Sequence, residues 1–107
     1  MKKILFGLLL ITNLFALDGN KFVSFMKEYK KENNKNWVDA FAFMYYIEGI
    51  NDTLKGILIC YPSNVNNGQI ASIVIKYIEN NPEKWNHSAY SLVTTPLIKT
   101  FPCKKKK

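Results

Sequence analysis

The sequence contains no arginine, a single histidine and only two cysteines among its 107 residues. Without arginine it lacks the planar, two-pronged donor that proteins favour for binding phosphate groups and guanine. Two cysteines and His87 fall short of a four-ligand zinc set, so we expect no metal. The sequence also lacks a Cys-x-x-Cys pair, a Gly-rich phosphate loop and a Gly-x-Ser-x-Gly motif, so we expect no cofactor and no enzyme activity.

The net charge of +7 is unevenly distributed along the chain. Two lysines lie at the N-terminus and four form the C-terminal tail 104–107, whereas residues 17–103 contain nine lysines against eight acidic residues, a net charge of +1. The body is therefore nearly neutral, and we expect no binding to nucleic acid. The tail has no apolar residue beside it, so it predicts at most weak, reversible attraction to an anionic membrane and no stable membrane anchor.

Residues 1–16 are typical of a secretory signal peptide. Lys2 and Lys3 precede an uncharged, mostly apolar run from Ile4 to Ala16. Thirteen residues span only about 20 Å as a helix, which is too short to cross a hydrocarbon core of roughly 30 Å. We therefore predict export with cleavage after Ala16, leaving one domain, residues 17–103, followed by the basic tail 104–107.

Export changes the interpretation of Cys60 and Cys103. Two cysteines in a small secreted domain usually form a disulfide bond, and a domain of this size needs such a cross-link because its core alone is marginally stable. A redox or nucleophilic thiol would need a partner thiol or a base close by in sequence, and neither is present. We therefore predict that Cys60 and Cys103 are bonded to each other.

Apolar periodicity predicts four helices. Apolar residues recur at helical spacing from Asn20 to about Lys31, from Trp37 to about Ile59, from Ile70 to Asn80 or Asn81, and from about Ser88 to Phe101. No internal repeat and no hairpin pattern is present, so the predicted fold is all-α, a small single-domain bundle of about four helices with one disulfide.

Several residues predict how these helices begin and end. Asn66 is the predicted N-cap of the third helix, with Gln69 placed to complete a capping box. Pro96 lies inside the fourth helix and is expected to kink or split it. Gly49 and Gly56 in the second helix are each interpreted as a close packing contact or a break. By their spacing, Trp37 and most tyrosines are predicted to lie in the core.

No constellation of residues indicates catalysis. Glu48 and Asp52 are spaced i, i+4, which places both carboxylates on one helix face, but Lys55 lies nearby and a solvated charged face is the favoured interpretation. Aromatic residues in loops commonly anchor protein interfaces. We therefore predict partner contacts in two loops, at Tyr61, Asn64 and Asn67 in the first and at Trp85, Asn86 and His87 in the second.

From Tyr45 to Cys103 the order of motifs resembles the Rap/Tai family of periplasmic immunity proteins, which protect bacteria against toxins of type VI secretion systems. The segments that carry the resemblance are "YYIEGIND", "CYP", "VNNGQIASIVIKYIENNPE", "AYSLVTTPL" and "FPC". They match an aromatic-x-x-Gly segment, a Cys-x-Pro turn, a Gly-Gln helix start, a Pro-Glu turn and a closing Phe-Pro-Cys. Asn66, Asn81 and Pro96 depart from the residues common in that family.

The resemblance implies a small, helical, exported and non-catalytic protein. It carries over structural roles for both cysteines, the Pro62 and Pro82 turns, and Gly68 with Gln69. It assigns no toxin contacts, because those vary among members. The expected function is therefore the binding and occlusion of a cognate protein toxin in the periplasm, for example a peptidoglycan hydrolase. Several proteins of that family act as dimers, so a homodimer is one form to test. A small periplasmic helical chaperone of the acid-stress type is the alternative.

Overall fold

A computed structural model describes residues 17–31, 33 and 36–104. The predicted signal peptide and the last three lysines of the tail lie outside the described residues. The described part contains four α-helices: α1 (Gly19–Lys30), α2 (Trp37–Leu54), α3 (Asn67–Asn80) and α4 (Ala89–Thr100). A short 3-10 helix, Pro82–Lys84, connects α3 to α4. The all-α prediction is confirmed, and none of the described helices is long and apolar enough to cross a membrane.

Polar side chains begin each helix at the residue before its first turn. The predicted capping box is present, because the Asn66 side chain accepts from the Gln69 backbone N–H at 2.9 Å and Gln69 accepts from that of Asn66 at 2.9 Å. Asp18, Asn36 and Ser88 each accept a backbone N–H in the first turn of α1, α2 and α4. These caps satisfy N–H groups that have no partner within a helix.

The core forms where the apolar faces of the four helices meet, with α1 packed along α2 and α3 packed along α4. Its centre includes the stacked rings of Phe22 and Phe43, whose centroids lie 5.0 Å apart. Each helix contributes fully buried aliphatic or aromatic side chains, including Val23, Ile47, Val74, Ile78, Leu92, Val93 and Leu97. Gly19, at the start of α1, packs directly against the backbone carbonyl oxygens of Trp85 and His87.

The predicted disulfide is confirmed: Cys60 and Cys103 are bonded, with their Cα atoms 4.9 Å apart. The Cys60 N–H also donates to the carbonyl of Phe101 at 2.8 Å. The cross-link joins the segment that follows α2 to the end of α4, 43 residues further along the chain.

The second helix is shorter than predicted, since it ends at Leu54 and not near Ile59. Gly56 follows with φ of +81°, a left-handed conformation that glycine adopts readily and other residues rarely do. Its N–H donates to the Ile59 carbonyl at 2.8 Å, which closes a tight turn over residues 55–59. Gly56 is thus a break, and Cys60 lies in the segment after this turn and not at the helix end.

Pro96 does not split the fourth helix, because α4 continues without interruption from Ala89 to Thr100. Proline removes the backbone hydrogen bond to the residue four positions earlier. Pro96 is buried in the helix bundle, and burial of its apolar ring favours the folded state and so opposes that loss.

Candidate partner-binding surfaces

A polar cleft of about 470 Å³ opens between the C-terminal part of α2 and the loop that follows the disulfide. Six side chains supply most of its polar groups: Glu48, Asn51, Asp52, Tyr61, Ser63 and Asn67. The disulfide at Cys60 holds one end of the loop and the capping box at Asn66 holds the other. The disulfide and the capping box therefore fix both ends of the loop that lines the cleft.

Tyr61 connects the loop to the helices on either side. Its ring packs edge-on against Phe101 with centroids 5.0 Å apart, and its hydroxyl donates to the Asn51 Oδ1 at 2.5 Å. Burial raises the pKa of the Tyr61 hydroxyl to about 12, although its contact with Asn51 acts in the opposite direction. Tyr61 is therefore neutral at physiological pH and remains a hydrogen-bond donor.

Asn51 is the most deeply placed polar residue of the cleft, with only 8% of its surface exposed. Its oxygen is occupied by Tyr61, but its amide nitrogen has no hydrogen-bond partner among the described residues. No side-chain nitrogen or oxygen that is fully buried in the described part of the chain lacks a partner. The amide nitrogen of Asn51 must therefore be reached by solvent, and it lies on the cleft wall.

Two carboxylates line the same wall one helical turn apart. Glu48 is partly buried and accepts weakly from the Asn67 amide at 3.4 Å, whereas Asp52 is exposed. Lys55 lies at the edge of the cleft. His87 is not among the lining residues, and no group of three or more metal-ligating side chains occurs in the described ranges. The cleft therefore offers carboxylate, amide and hydroxyl groups to a bound partner.

The six predicted contact residues fall into two groups. Tyr61 and Asn67 line the polar cleft, and Asn64 lies exposed in the same loop. None of the second group, Trp85, Asn86 and His87, lines the cleft.

Trp85 is partly buried and is held by the fold. Its indole N–H donates to the Ile78 carbonyl at 2.7 Å, and the Lys27 ammonium lies 5.2 Å from its ring centroid. Asn86 and His87 are exposed beside it. The ring of Trp85 therefore supports the turn, and only its neighbours are freely accessible to a partner.

Ile57 and Leu58 fall within the predicted second helix, but in the structure they project from the 55–59 turn. Ile57 is 69% exposed and Leu58 is 45% exposed. Their turn begins at Lys55, which lines the polar cleft. An exposed apolar tip thus adjoins a polar recess, and neighbouring exposed apolar side chains can mark a surface that contacts another protein.

A second surface was missed by the sequence prediction. Trp37, Phe41 and Tyr45 lie on one face of α2 at i, i+4 and i+8, and they are 61%, 50% and 64% exposed. Their rings contact each other in sequence, with centroids 5.8 and 5.7 Å apart. We call these three residues the aromatic ridge. The prediction that Trp37 and Tyr45 lie in the core is therefore wrong.

An apolar groove of about 450 Å³ runs beside the ridge, between α2 and the residues of α1 and α4. Phe25, Tyr46, Ile50 and Tyr90 are among its lining side chains. Burial raises the pKa of the Tyr46 hydroxyl, and the nearby Tyr90 adds to this shift. Gly49 lies at the groove with open space above its Cα, in the uninterrupted part of α2, so its interpretation as a packing contact or a break is wrong. Another surface could approach the α2 backbone closely there.

A family model described as Rap1a immunity proteins matches residues 18–103. The matched range includes all four helices, both cysteines, the polar cleft and the aromatic ridge. No curated protein and no solved structure is significantly similar to the chain.

Proposed function

The chain belongs to the family of Rap1a immunity proteins, and on that premise we propose that it binds and occludes a toxin delivered by a type VI secretion system. The toxin would be, for example, a peptidoglycan hydrolase, and the protein would act by steric and electrostatic complementarity without turnover. The observation that carries the proposal is the family match over residues 18–103, which spans the whole helical domain. Family members are generally not enzymes.

We place this activity in the periplasm. The supporting observations are the signal-peptide pattern of residues 1–16 and the Cys60–Cys103 disulfide, which forms and persists in an oxidising compartment.

We propose that the toxin contacts the face formed by the 55–59 turn and the loop at residues 61–67. Ile57 and Leu58 would provide the apolar centre of this interface, and Tyr61, Asn64 and Asn67 would provide polar groups around it. This combination of a small apolar centre and a polar rim is typical of complexes whose partners are also stable alone. The second predicted group, Asn86 and His87 beside Trp85, is kept as a candidate for peripheral contacts.

The aromatic ridge has a different composition, and we propose that it is covered by a second copy of this chain. Given the size of aromatic side chains, its three rings expose roughly 400 Å². That is about half of what each partner contributes to a stable interface. Val38, which is 56% exposed, and the adjoining groove add apolar surface. Homodimer interfaces are more apolar than transient ones, which fits the ridge better than the polar cleft does.

The function is tested by capture of toxins in the periplasm. Protein purified from that compartment is used to capture candidate toxins from strains that compete with the host, and each captured toxin is co-expressed with the protein to measure survival. We expect one partner bound tightly and neutralised. The Leu58→Asp variant should lose most of this binding. Lys76→Asp, at an exposed position of α3, should keep it. Failure to capture or neutralise any toxin, with binding of many denatured proteins only at acidic pH, would instead favour the chaperone alternative.

The dimer is tested by sedimentation of the mature protein across a concentration series. Phe41→Lys should shift the population to monomer, because it places a charge at the centre of the ridge. Ile57→Lys is the matched control, since Ile57 is even more exposed but lies outside the ridge. Unchanged sedimentation of Phe41→Lys, or equal loss of the dimer in both variants, would contradict the assignment of the interface.

A further inference from the structure

We infer that the polar cleft receives a long cationic side chain, lysine or arginine, from a protein partner, together with the peptide carbonyl next to it. This inference rests on the proposed function, because it specifies the chemistry by which the toxin would be recognised. The carboxylates, the amide and the apolar side chains of the cleft would each contact a different part of the partner.

The carboxylates of Glu48 and Asp52 select the charge. They lie one turn apart on α2 and face the same recess of about 470 Å³. The only hydrogen bond to either carboxylate among the described residues is the long one from Asn67 to Glu48 at 3.4 Å. Both groups therefore retain acceptor capacity for an ammonium or guanidinium group, and a hydrogen bond to such a charged donor is stronger than a neutral one.

Asn51 supplies the second, independent observation. Only 8% of its surface is exposed, its oxygen is held by Tyr61, and its amide nitrogen, which solvent reaches, has no acceptor within the described ranges. A ligand that displaces solvent from the cleft must offer this N–H an acceptor, because a donor left without one costs free energy. A carbonyl oxygen is the commonest acceptor on a protein partner, so we assign Asn51 to the peptide carbonyl next to the cation.

The remaining walls suit the stem of such a side chain. Pro62, Val65 and Ile70 add apolar surface to the lining of the cleft. Lysine and arginine side chains place their methylene groups along apolar surface while their charged ends reach polar groups. Lys55 also lines the cleft and disfavours a second bound positive charge, so one cation per cleft is expected.

The probe is the capped peptide Gly-Gly-Arg-Gly-Gly, and the control probe carries citrulline, a neutral analogue of arginine with nearly the same shape. Binding to the ¹⁵N-labelled mature protein is followed by NMR through the side-chain amide signals of Asn51. We expect saturable shifts of these signals with the arginine peptide at millimolar concentration. The citrulline peptide should bind at least about fivefold more weakly, because it lacks the charge that the two carboxylates attract.

Three variants make the test specific. Glu48→Gln and Asp52→Asn should each weaken the arginine peptide about two- to fivefold, whereas Glu83→Gln, an exposed acidic residue outside the cleft, should not. No saturable shift up to about 20 mM would overturn the inference, since such binding would be too weak to contribute to recognition. Equal binding of the citrulline peptide would overturn it as well. Peptide binding without toxin neutralisation would reject the toxin role alone, and neutralisation without peptide binding would reject only the cationic pocket.

Discussion

Replacing Gly19 with alanine should destabilise the protein strongly, although the new residue is a better helix former. A Cβ at this position would lie 2.0 Å from the carbonyl oxygen of His87 and 2.5 Å from that of Trp85. Both neighbours are backbone atoms, so neither can rotate away as the end of a flexible side chain would. The contact is relieved only when the start of α1 moves away from the 85–87 turn.

The cost can be estimated from what this movement would break. The Ala89 N–H donates to the Leu17 carbonyl at 2.9 Å, and Asp18 pairs with Ser88 in an isolated bridge. The hydrogen bond is part of this bridge, so losing both together costs about 1 kcal/mol, and residual overpacking adds about 1 to 3 kcal/mol. We therefore expect a loss of about 2 to 4 kcal/mol in the free energy of unfolding. For a domain of this size that lowers Tm by about 8 °C or more.

Gly49→Ala is the matched control, because a Cβ there would meet no atom within 4 Å. Gly49 lies in the interior of α2, so alanine should stabilise that helix by about 0.5 to 1 kcal/mol. Both variants are compared with wild type by urea unfolding followed by circular dichroism, at one protein concentration. A Gly19→Ala variant within about 1 kcal/mol of wild type would refute the reasoning, since overpacking of a rigid backbone contact should cost more. So would a larger loss in Gly49→Ala.

Four further predictions concern the disulfide, the third helix, the cleft and the tail. Replacing Cys60 and Cys103 with alanine should lower the free energy of unfolding by about 4 kcal/mol, as expected for a closed loop of this length; a loss below about 1 kcal/mol in urea would contradict this. Asn66→Ala should cost about 1 kcal/mol in the same assay through loss of the capping box, and no change would contradict that role. Because the pKa of Tyr61 is about 12 in the folded state and about 10 when unfolded, unfolding titrations should show stability falling as pH rises from about 10 to 12, and less so in Tyr61→Phe. Deleting residues 104–107 should leave folding and partner binding nearly unchanged by circular dichroism and toxin capture, and a large loss of either would make the tail part of the site.

Local signals in the sequence were sufficient where one residue decides one feature. The Asn66 and Gln69 pair predicted the capping box, because a short polar side chain followed three residues later by glutamine has few other uses before an apolar run. The pairing of Cys60 with Cys103 was predicted because the chain has only two cysteines and its first residues predict export. Such inferences need no knowledge of how the helices pack.

The second helix could not be predicted as well, because its apolar residues are distributed around most of its circumference. Phe43 and Ile47 are buried, whereas Trp37, Phe41 and Tyr45 are exposed, and periodicity alone does not say which stripe faces the core. The i, i+4, i+8 spacing of three aromatic residues was a signal that could have identified a separate face. Only the arrangement of α1 and α4 around α2 settles which face is left open.

The candidate site was predicted in part for the same reason. Proline and asparagine marked the loop that contains Tyr61 and Asn67, so its position was readable from turn chemistry. The opposing wall was interpreted as a solvated charged face, because the i, i+4 spacing of Glu48 and Asp52 places them together but says nothing about what lies opposite. Asn51 gave no signal at all, since its burial depends on Tyr61 folding back over α2.

The features that stabilise the fold also hold the cleft in shape. The disulfide brings the end of α4 to the loop, where the Phe101 carbonyl accepts from Cys60 and the Phe101 ring packs on Tyr61. Tyr61 in turn fixes the orientation of Asn51 on α2. These contacts connect the disulfide to the Asn51 wall of the cleft through only a few residues. Helices α1 and α2, by contrast, lie outside the loop of residues 60–103 that the disulfide closes. Reduction should therefore loosen the cleft at lower denaturant concentrations than those that unfold α1 and α2, so binding would be lost before the helices are.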